Sequence, residues 1–323
     1  MHAAVLHTPG EPVTYADHPD PVQAAGQTLI RVKAAPVVPL DLLCASGTSY
    51  FGRPQVPYVP GVQGVGVVAA SESIPGGSRV FFATEAGKQP GDGGMAELCA
   101  VPDGDVIPVT ADVDDAALAA LGLSAVAAWM ILTWRARLRE GERVLVLGAG
   151  GAVGQAAIGA ARLLGARRVV AVCRSSAADQ RAREAGADEV VRLTDDVDRL
   201  TEQFRDAVDG AVDVVVDPVF GVAATAASRV LANGGRLVNL GGASGDTAPF
   251  SSSVLRSRSA GVLGYTNDAL SVEQRREAFD AVVSHAAAGR MHVAHETWPL
   301  ADAENAWTLQ ASGRASGRLV LIP

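Results

Sequence analysis

The sequence predicts an α/β protein in which a doubly wound parallel sheet is inserted in a β-barrel domain. Three observations support this prediction. Up to about residue 115, the chain consists of short apolar runs separated by proline and glycine, which are typical of β-strands. Over 116–267, predicted helices alternate with buried strands. After 268, the pattern of the first part of the chain returns. We therefore expect one domain of 1–115 plus 268–323 and a second domain of 116–267.

Composition excludes several classes of protein. Hydrophobic residues make up 48% and charged residues 19% of the 323 residues, which suits a large core and argues against disorder. The net charge of −8 argues against nucleic acid or an anionic membrane as the main partner. No signal peptide and no membrane-spanning window is predicted. The three scattered cysteines predict neither a disulfide framework nor a metal cluster, and they suit the cytoplasm.

The stretch 142–176 predicts one strand–turn–helix–strand unit. An apolar strand over 143–147 leads into a glycine-rich turn, a small-residue helix follows over 155–164, and a second buried strand covers 169–172. A unit of this kind holds the phosphates of a dinucleotide at the start of its helix. We therefore predict a dinucleotide site here.

The glycines in this turn follow the spacing G-x-x-G-x-x-G, because Val153 stands where the stricter G-x-G-x-x-G would need its third glycine. We expect Gly148 to make the tight turn and Gly154 to let the helix pack closely on the strands. Gly151 would leave the backbone bare where a pyrophosphate approaches. The amides of Ala152 and Val153 would then face the phosphates.

The residue at the end of the second strand predicts which cofactor binds. NAD sites usually carry an acid about 20 residues past the glycines. Here that position holds Arg174, followed by Ser175 and Ser176, and no acid occurs before Asp179. A guanidinium and hydroxyl groups suit a 2′-phosphate, which predicts NADPH. The alternative is that Arg174 is a solvated arginine at a strand end.

Further cofactor contacts are expected at the carboxyl ends of the later strands, because ligands of parallel sheets bind there. Residues that directly follow the fourth, fifth and sixth predicted strands are the candidates: Val219, Gly241, Gly242, Tyr265 and Asn267.

Other short motifs follow one another along almost the whole chain. They are Ala3-Ala4-Val5, Pro39-Leu40-Asp41, Pro60-Gly61-Val62-Gln63-Gly64-Val65-Gly66, Gly93-Gly94-Met95-Ala96-Glu97, Gly122-Leu123-Ser124-Ala125, Gly186-Ala187-Asp188, Gly234-Gly235-Arg236-Leu237-Val238 and Gly317-Arg318-Leu319-Val320-Leu321. In this order they resemble the medium-chain dehydrogenase/reductase superfamily, and within it the zinc-free NADPH:quinone oxidoreductases, or zeta-crystallin-like proteins. The resemblance implies a Rossmann domain inserted in a GroES-like domain, and a homodimer paired through the sixth strand.

The sequence departs from the zinc-binding members of that family. Those members carry a cysteine in the turn before the position of Asp41 and a His-Glu pair after the Pro-Gly step. Here Val38 and the pair Val62-Gln63 occupy these places, and the loop 83–95 lacks the four cysteines of the structural zinc lobe. Because valine cannot ligate zinc and glutamine is a poor ligand, we expect no metal site.

Without a metal, polarisation of a simple alcohol or ketone is disfavoured, whereas a quinone or an α,β-unsaturated carbonyl accepts a hydride more readily. We expect such a small molecule to bind in a cleft between the domains, with Tyr50 as donor to the developing enolate. The alternative is that Tyr50 only packs at the cleft lip. Ser124 is expected to contact the nicotinamide amide, and Asp41 is expected to cap a turn.

Two other functions stay open at this point. The chain could bind NADPH without turnover, as a structural or regulatory protein. It could also be a biosynthetic enoyl reductase, which is a variant of the same reductase chemistry. Turnover of NADPH with quinones and enones separates an enzyme from a binding protein.

Overall fold

The computed structural model describes all 323 residues, which form fifteen strands and nine α-helices. The strands are β1 His2–Val5, β2 Thr14–Asp17, β3 Gln27–Val37, β4 Gln63–Ala70, β5 Arg79–Ala83, β6 Leu98–Pro102, β7 Val106–Pro108, β8 Arg143–Val146, β9 Arg168–Cys173, β10 Glu189–Arg192, β11 Val212–Asp217, β12 Leu231–Asn239, β13 Gly261–Gly264, β14 His295–Pro299 and β15 Arg318–Ile322. The helices are α1 Pro39–Ala45, α2 Asp115–Met130, α3 Ala152–Leu163, α4 Ser176–Glu184, α5 Val197–Ala207, α6 Gly221–Ser228, α7 Ser252–Arg258, α8 Val272–Ala287 and α9 Ala303–Ala311.

The chain divides into two compact units. One comprises Met1–Leu123 and Ala294–Pro323, and the other comprises Ser124–Val293. The first unit is therefore assembled from both ends of the chain, as the sequence predicts, although its borders differ from the expected 115 and 268.

Helix α8 accounts for the shifted second border. The sequence analysis assigns it to the first domain, but its contacts lie in the second unit. The ring of His285 lies 5.3 Å from that of Trp129, and a Cβ added at Gly159 of α3 would lie 3.8 Å from Met291 Cγ, just beyond α8. Since these residues all belong to Ser124–Val293, α8 is part of the parallel-sheet unit rather than of the β-rich unit.

The second unit contains a six-stranded sheet with the order β10-β9-β8-β11-β12-β13, and every pair in it is parallel. This is the strand order of doubly wound dinucleotide-binding sheets, so the predicted fold class is confirmed. The runs of valine and leucine in β8, β9 and β11 are buried, because helices cover both faces of such a sheet.

The predicted element borders in this unit need small corrections. Helix α3 begins at Ala152 rather than at 155, because Gly151 adopts the extended conformation of an N-cap. Strand β12 begins at Leu231, shortly after α6 ends, and its pairing with β11 shifts register between Val212 and Val214. Helix α7 lies in a polar, serine-rich segment that gave no periodic signal.

The first unit contains a seven-stranded sheet with the order β14-β15-β3-β4-β5-β7, and β6 also pairs with β3. The eleven-residue strand β3 is central because it pairs with β4, β6 and β15. Its pairing with β15 joins the end of the chain to the start. One continuous apolar cluster beneath this sheet includes Phe82, Met95 and Trp307.

A buried carboxylate organises the turn that enters α1. Asp41 Oδ2 accepts a hydrogen bond from Val38 N at 2.8 Å, and Oδ1 accepts one from Val62 N at 3.0 Å. Burial raises the pKa of Asp41 to about 6, although these bonds and the charge of Arg318 oppose the shift. Asp41 therefore caps the turn, as expected, and ties α1 to the segment before β4.

Helix α2 is broken at Gly122, which has φ 31° and ψ −136°. In an unbroken helix Leu123 N would donate to Ala119 O. Here Gln63 replaces that bond with its side-chain amide. Its Nε2 donates to Ala119 O at 3.0 Å, and its Oε1 accepts from Leu123 N at 2.6 Å. Gln63 is fully buried, so these two backbone groups are satisfied without water.

One helix has the length and apolar composition to cross a membrane, contrary to the expectation from the sequence. It comprises α2 and the π-helical segment after it, Asp115–Arg135, and 72% of its most apolar part is buried inside the protein. Buried core helices have the same length and composition.

We predict that Gln63→Leu lowers the free energy of unfolding by about 2 kcal/mol or more, because it leaves two buried backbone groups without partners. Urea unfolding followed by circular dichroism measures this change. Gln180→Leu is the control, since Gln180 lies exposed on α4 and bonds only to Glu184. A Gln63→Leu protein as stable as the control would contradict the bridging role.

Candidate functional site: the carboxyl edge of the parallel sheet

The glycine turn begins where three strands end. Leu147 N donates to Val216 O at 2.9 Å, and Ala149 N donates to Val172 O at 3.0 Å. The chain leaving β8 is therefore held between the ends of β11 and β9. This is the edge at which ligands of doubly wound sheets bind.

Two of the predicted glycines are required by the protein itself. Gly148 has φ +60°, and an added Cβ would lie 2.7 Å from Val219 Cγ1. At Gly154 an added Cβ would lie 2.5 Å from the Cα of Ala149. Both distances are far below ordinary contact. The tight turn at Gly148 and the close packing of α3 at Gly154 therefore agree with the sequence-based interpretation.

Gly151 is different because the protein has room for a side chain there. Its φ is −80°, its residue is exposed, and the nearest atom to an added Cβ would be Gly148 O at 3.4 Å. It is the N-cap of α3, so Ala152 and Val153 supply amides of the first turn that have no partner within the helix. The bare backbone at Gly151 is therefore available to an external anion.

The spacing G-x-x-G-x-x-G gives no role to Gly150, yet the structure requires a glycine at this position. An added Cβ would lie 2.4 Å from Ala178 Cβ, and its carbonyl accepts hydrogen bonds from Gln155 Nε2 and Arg181 Nε, each at 3.0 Å. The turn is thus pressed against α4 and bonded to both flanking helices. No local signal identifies this, because Ala178 and Arg181 are about 30 residues away in sequence.

Arg174 and Ser175 follow β9, as predicted. The side chain of Arg174 is exposed, and its guanidinium has no partner within the protein. Ser175 is the N-cap of α4, and its Oγ accepts from Ala178 N at 3.2 Å. The structure thus places a free cation beside the start of a second helix, at the same edge of the sheet as the glycine turn.

Asp217, which sequence reasoning did not assign to the site, positions Val219. Its side chain is fully buried at the end of β11, and Oδ1 accepts from Val219 N at 3.0 Å and from Phe220 N at 2.7 Å. Burial raises the pKa of Asp217, against the effect of these bonds and of Asn239. An aspartate directly before Pro218 is a turn signal that could have revealed it.

Phe220 adopts a conformation that glycine usually supplies, with φ +59° and ψ −151°. Its ring lies 5.9 Å from that of Phe250, in an edge-to-face arrangement. Residues held in such regions cost about 1–3 kcal/mol and persist only where their surroundings fix them. The bonds to Asp217 and the packing against Phe250 supply that constraint next to Val219.

Gly241 and Gly242 lie at the end of β12, where they were expected. An added Cβ at Gly241 would lie 2.8 Å from Pro218 O, and one at Gly242 would lie 2.9 Å from Gly245 O. Asn239 Nδ2 also donates to Gly241 O at 2.7 Å. The segment after β12 therefore packs closely on the segment after β11.

Tyr265 and Asn267 lie beyond β13 and contact each other. Tyr265 Oη donates to Asn267 Oδ1 at 2.7 Å, and burial raises the pKa of Tyr265. The Tyr265 ring lies 6.3 Å from that of Trp134. The two predicted contacts are therefore one coupled pair rather than two independent groups.

The two predicted catalytic residues have different surroundings. Tyr50 belongs to the first unit and is 80% exposed, and its ring lies 4.2 Å from that of Phe51. Lys88 Nζ lies 5.7 Å from the Phe51 ring. Ser124 is half-buried in α2, two residues after the break at Gly122.

The positions that correspond to zinc ligands in the zinc-binding members of the family hold side chains with other roles. Val38 and Val62 are buried and apolar, and the amide of Gln63 is bonded to the broken helix. No group of three or more His, Cys, Asp or Glu side chains is arranged to hold a metal ion.

We predict that Gly150→Ala lowers the free energy of unfolding by about 1–3 kcal/mol, because the methyl group overlaps Ala178. Gly151→Ala is the matched variant and should change it by less than about 0.5 kcal/mol, since space and backbone conformation allow a side chain. Urea unfolding compares the two. Equal stability of the two variants would show that Ala178 moves away at little cost.

Two family models match the chain. Residues 152–285 match the model described as zinc-binding dehydrogenase, and residues 24–111 match the model described as alcohol dehydrogenase GroES-like domain. The first lies within the parallel-sheet unit, and the second lies within the β-rich unit.

Two curated relatives have about the same sequence identity to the chain. One subunit of the phenolphthiocerol/phthiocerol polyketide synthase of Mycobacterium tuberculosis is 30% identical over 314 residues, which cover 91% of this chain and 13% of that protein. The quinone oxidoreductase of Rattus norvegicus is 31% identical over 228 residues, which cover 68% of this chain and 66% of that protein. The chain thus spans a small part of the first relative and just under two thirds of the second.

Solved structures resemble the chain over its whole length. A probable oxidoreductase from Mycobacterium abscessus is 30% identical, with a TM-score of 0.86, and the match covers 100% of this chain and 99% of that one. The quinone oxidoreductase of Thermus thermophilus, solved alone and with NADPH, is 28% identical, with a TM-score of 0.83 and full coverage of both chains.

Proposed function

Because the chain belongs to the medium-chain dehydrogenase/reductase superfamily, we propose that it reduces a quinone or an α,β-unsaturated carbonyl with NADPH. The observation that carries this proposal is the bare, exposed backbone at Gly151, next to the free amides of α3 and at the same sheet edge as the Arg174 guanidinium. Pyrophosphate and a 2′-phosphate need these two groups.

Residues of this chain account for the rest of the cofactor site in the proposal. Val219 lies against Gly148 of the glycine turn, Gly241 lies against Pro218 with Gly242 next to it, and the pair of Tyr265 and Asn267 follows β13. Bound NADPH supplies a hydride. The chain fixes where that hydride is delivered, because every segment at this edge is held by main-chain bonds.

The proposed reaction needs no metal. The buried valines at positions 38 and 62 supply no ligand, and the Gln63 amide is committed to α2. A conjugated acceptor tolerates this, because it delocalises the incoming charge onto its own oxygen. The protein then contributes orientation and a hydrogen-bond donor.

We expect the purified protein to oxidise NADPH in the presence of 9,10-phenanthrenequinone or a 2-alkenal, and to prefer NADPH to NADH. Loss of the absorbance of the reduced nicotinamide measures this turnover. Gly151→Ala is the control for uncatalysed reduction, because it keeps the fold while its methyl group occupies the space where the pyrophosphate approaches. Tight NADPH binding without turnover on any acceptor would instead support a binding protein.

A biosynthetic enoyl reductase is the second candidate, and the similarity of 91% of the chain to part of a polyketide synthase favours it. The chemistry is the same, since an enoyl thioester is also a conjugated acceptor. A 2-alkenoyl thioester in the same assay separates the candidates. The ratio of kcat/KM for the thioester to that for the quinone decides between them.

In this proposal Tyr50 donates a hydrogen bond or a proton to the reduced acceptor, and Ser124 contacts the nicotinamide amide. Tyr50 is an exposed residue on a loop with Phe51, and the Phe51 ring offers an apolar face to a planar acceptor. The alternative role of Tyr50 is packing alone.

We predict that Tyr50→Phe lowers kcat about 10-fold or more while leaving the KM for NADPH unchanged, since only the hydroxyl is removed. Stopped-flow or steady-state kinetics with the preferred acceptor measures it. Tyr15→Phe is the control, because Tyr15 is also exposed in the same unit but stacks on His2. Full turnover by Tyr50→Phe would leave Tyr50 only a packing role.

We also propose a homodimer and a cytoplasmic location. Strand β13 pairs with β12 only and forms an edge of the parallel sheet, and a second copy could extend the sheet there. All three cysteines are buried and none forms a disulfide, which suits a reducing compartment.

A further inference from the structure

A second arginine lies beside Arg174 at the carboxyl edge of the parallel sheet. Arg192 is the last residue of β10, and the register of the parallel pair places it opposite Cys173, the last residue of β9. Arg174 follows directly. The two arginines therefore extend from the tips of adjacent strands, although 18 residues separate them in sequence.

The guanidinium of Arg192 is held by two hydrogen bonds. Its Nη1 donates to the carbonyl oxygen of Arg174 at 3.0 Å, and its Nη2 donates to Asp179 Oδ2 at 2.9 Å. Arginine carries five N–H groups, so three have no partner in the protein. The side chain is 47% exposed, which leaves these donors accessible. The cation is thus oriented in advance and still able to bind an anion.

Without a positively charged partner, the carboxylate of Asp179 would repel an anion bound beside Arg174 and Arg192. It lies in the first turn of α4, and its Oδ1 is buried without a hydrogen-bond partner. Its charge also reaches Cys173, whose pKa is raised to about 11 by burial and then by Asp179. Arg192 therefore does two things here. It adds a positive charge and it compensates the nearest carboxylate.

We propose that Arg192 is a second specificity-determining residue for the 2′-phosphate of NADPH, acting with Arg174, and that Asp179 orients it before the cofactor binds. This inference rests on the proposed function. Two guanidinium groups at neighbouring strand tips can each donate to a phosphate, which has three acceptor oxygens. The hydroxyls of an unphosphorylated ribose offer no comparable charge.

Isothermal titration calorimetry with 2′-phospho-ADP-ribose and with ADP-ribose isolates the phosphate from the nicotinamide. We expect Arg192→Ala to weaken binding of the phosphorylated ligand about 10-fold or more, the loss of one charge-assisted bond, and to leave ADP-ribose within about 2-fold. Arg229→Ala is the matched control. Arg229 is also paired with an aspartate, Asp198, but it lies at the end of α6, away from the carboxyl edge.

Asp179→Asn distinguishes phosphate binding from a purely structural ion pair. It breaks the same ion pair but removes a negative charge instead of a positive one. We expect it to bind 2′-phospho-ADP-ribose at least as tightly as the unmodified protein. If Asp179→Asn weakens binding as much as Arg192→Ala does, or if Arg192→Ala weakens both ligands equally, the ion pair is structural and the inference is wrong.

Arg174→Ala separates this inference from the proposed function. If Arg174→Ala lowers the preference for the phosphorylated ligand and Arg192→Ala does not, the inference about Arg192 is wrong and the proposed function is unaffected. If the unmodified protein binds neither ligand, the proposed function is wrong.

Discussion

Close main-chain packing of the glycine turn is the constraint on which the edge of the parallel sheet depends. An added Cβ would lie 2.7 Å from Val219 at Gly148, 2.4 Å from Ala178 at Gly150, and 2.5 Å from a backbone atom at Gly154. Repulsion at such distances would separate the ends of three strands and two helices. The remaining glycine of the turn has no such neighbour. Three glycines therefore serve the fold, and the fourth leaves a surface for a ligand.

The sequence predicts the parts of this structure that local pattern determines. Alternating helices and buried strands were sufficient for the doubly wound sheet, because such strands are apolar on both faces and their connections have one hand. The glycine spacing and Arg174 placed the candidate site. Contacts between distant residues gave no local signal: the Gln63 amide bonds across 60 residues to Leu123, and Gly150 packs against Ala178 of α4. The predicted domain border before α8 differs from the observed one for the same reason, because the contacts of α8 are with residues far away in sequence.

Two buried polar side chains of the first unit, Asp41 and Gln63, are committed to the backbone rather than to a ligand. Asp41 accepts from two amides, and Gln63 donates to one carbonyl and accepts from one amide. A buried polar group without partners costs about as much as a lost hydrogen bond. Rebuilding a metal site here would therefore require both replacement of Val38 and Val62 and release of these bonds. We therefore expect the protein to promote reduction by orienting the reactants and by hydrogen bonding, rather than through a metal ion at this position.

A chain of net charge −8 can still bind a polyanion, because the relevant charges are local. At physiological ionic strength the screening length is about 8 Å, so distant carboxylates contribute little. The carboxyl edge of the parallel sheet presents Arg174 and Arg192, together with the amides that begin α3 and α4. Asp179 is the nearest opposing charge, and it is paired. The ion pair thus lets an acid remain in the first turn of α4, where the helix dipole stabilises it, without repelling the phosphate that the same corner would bind.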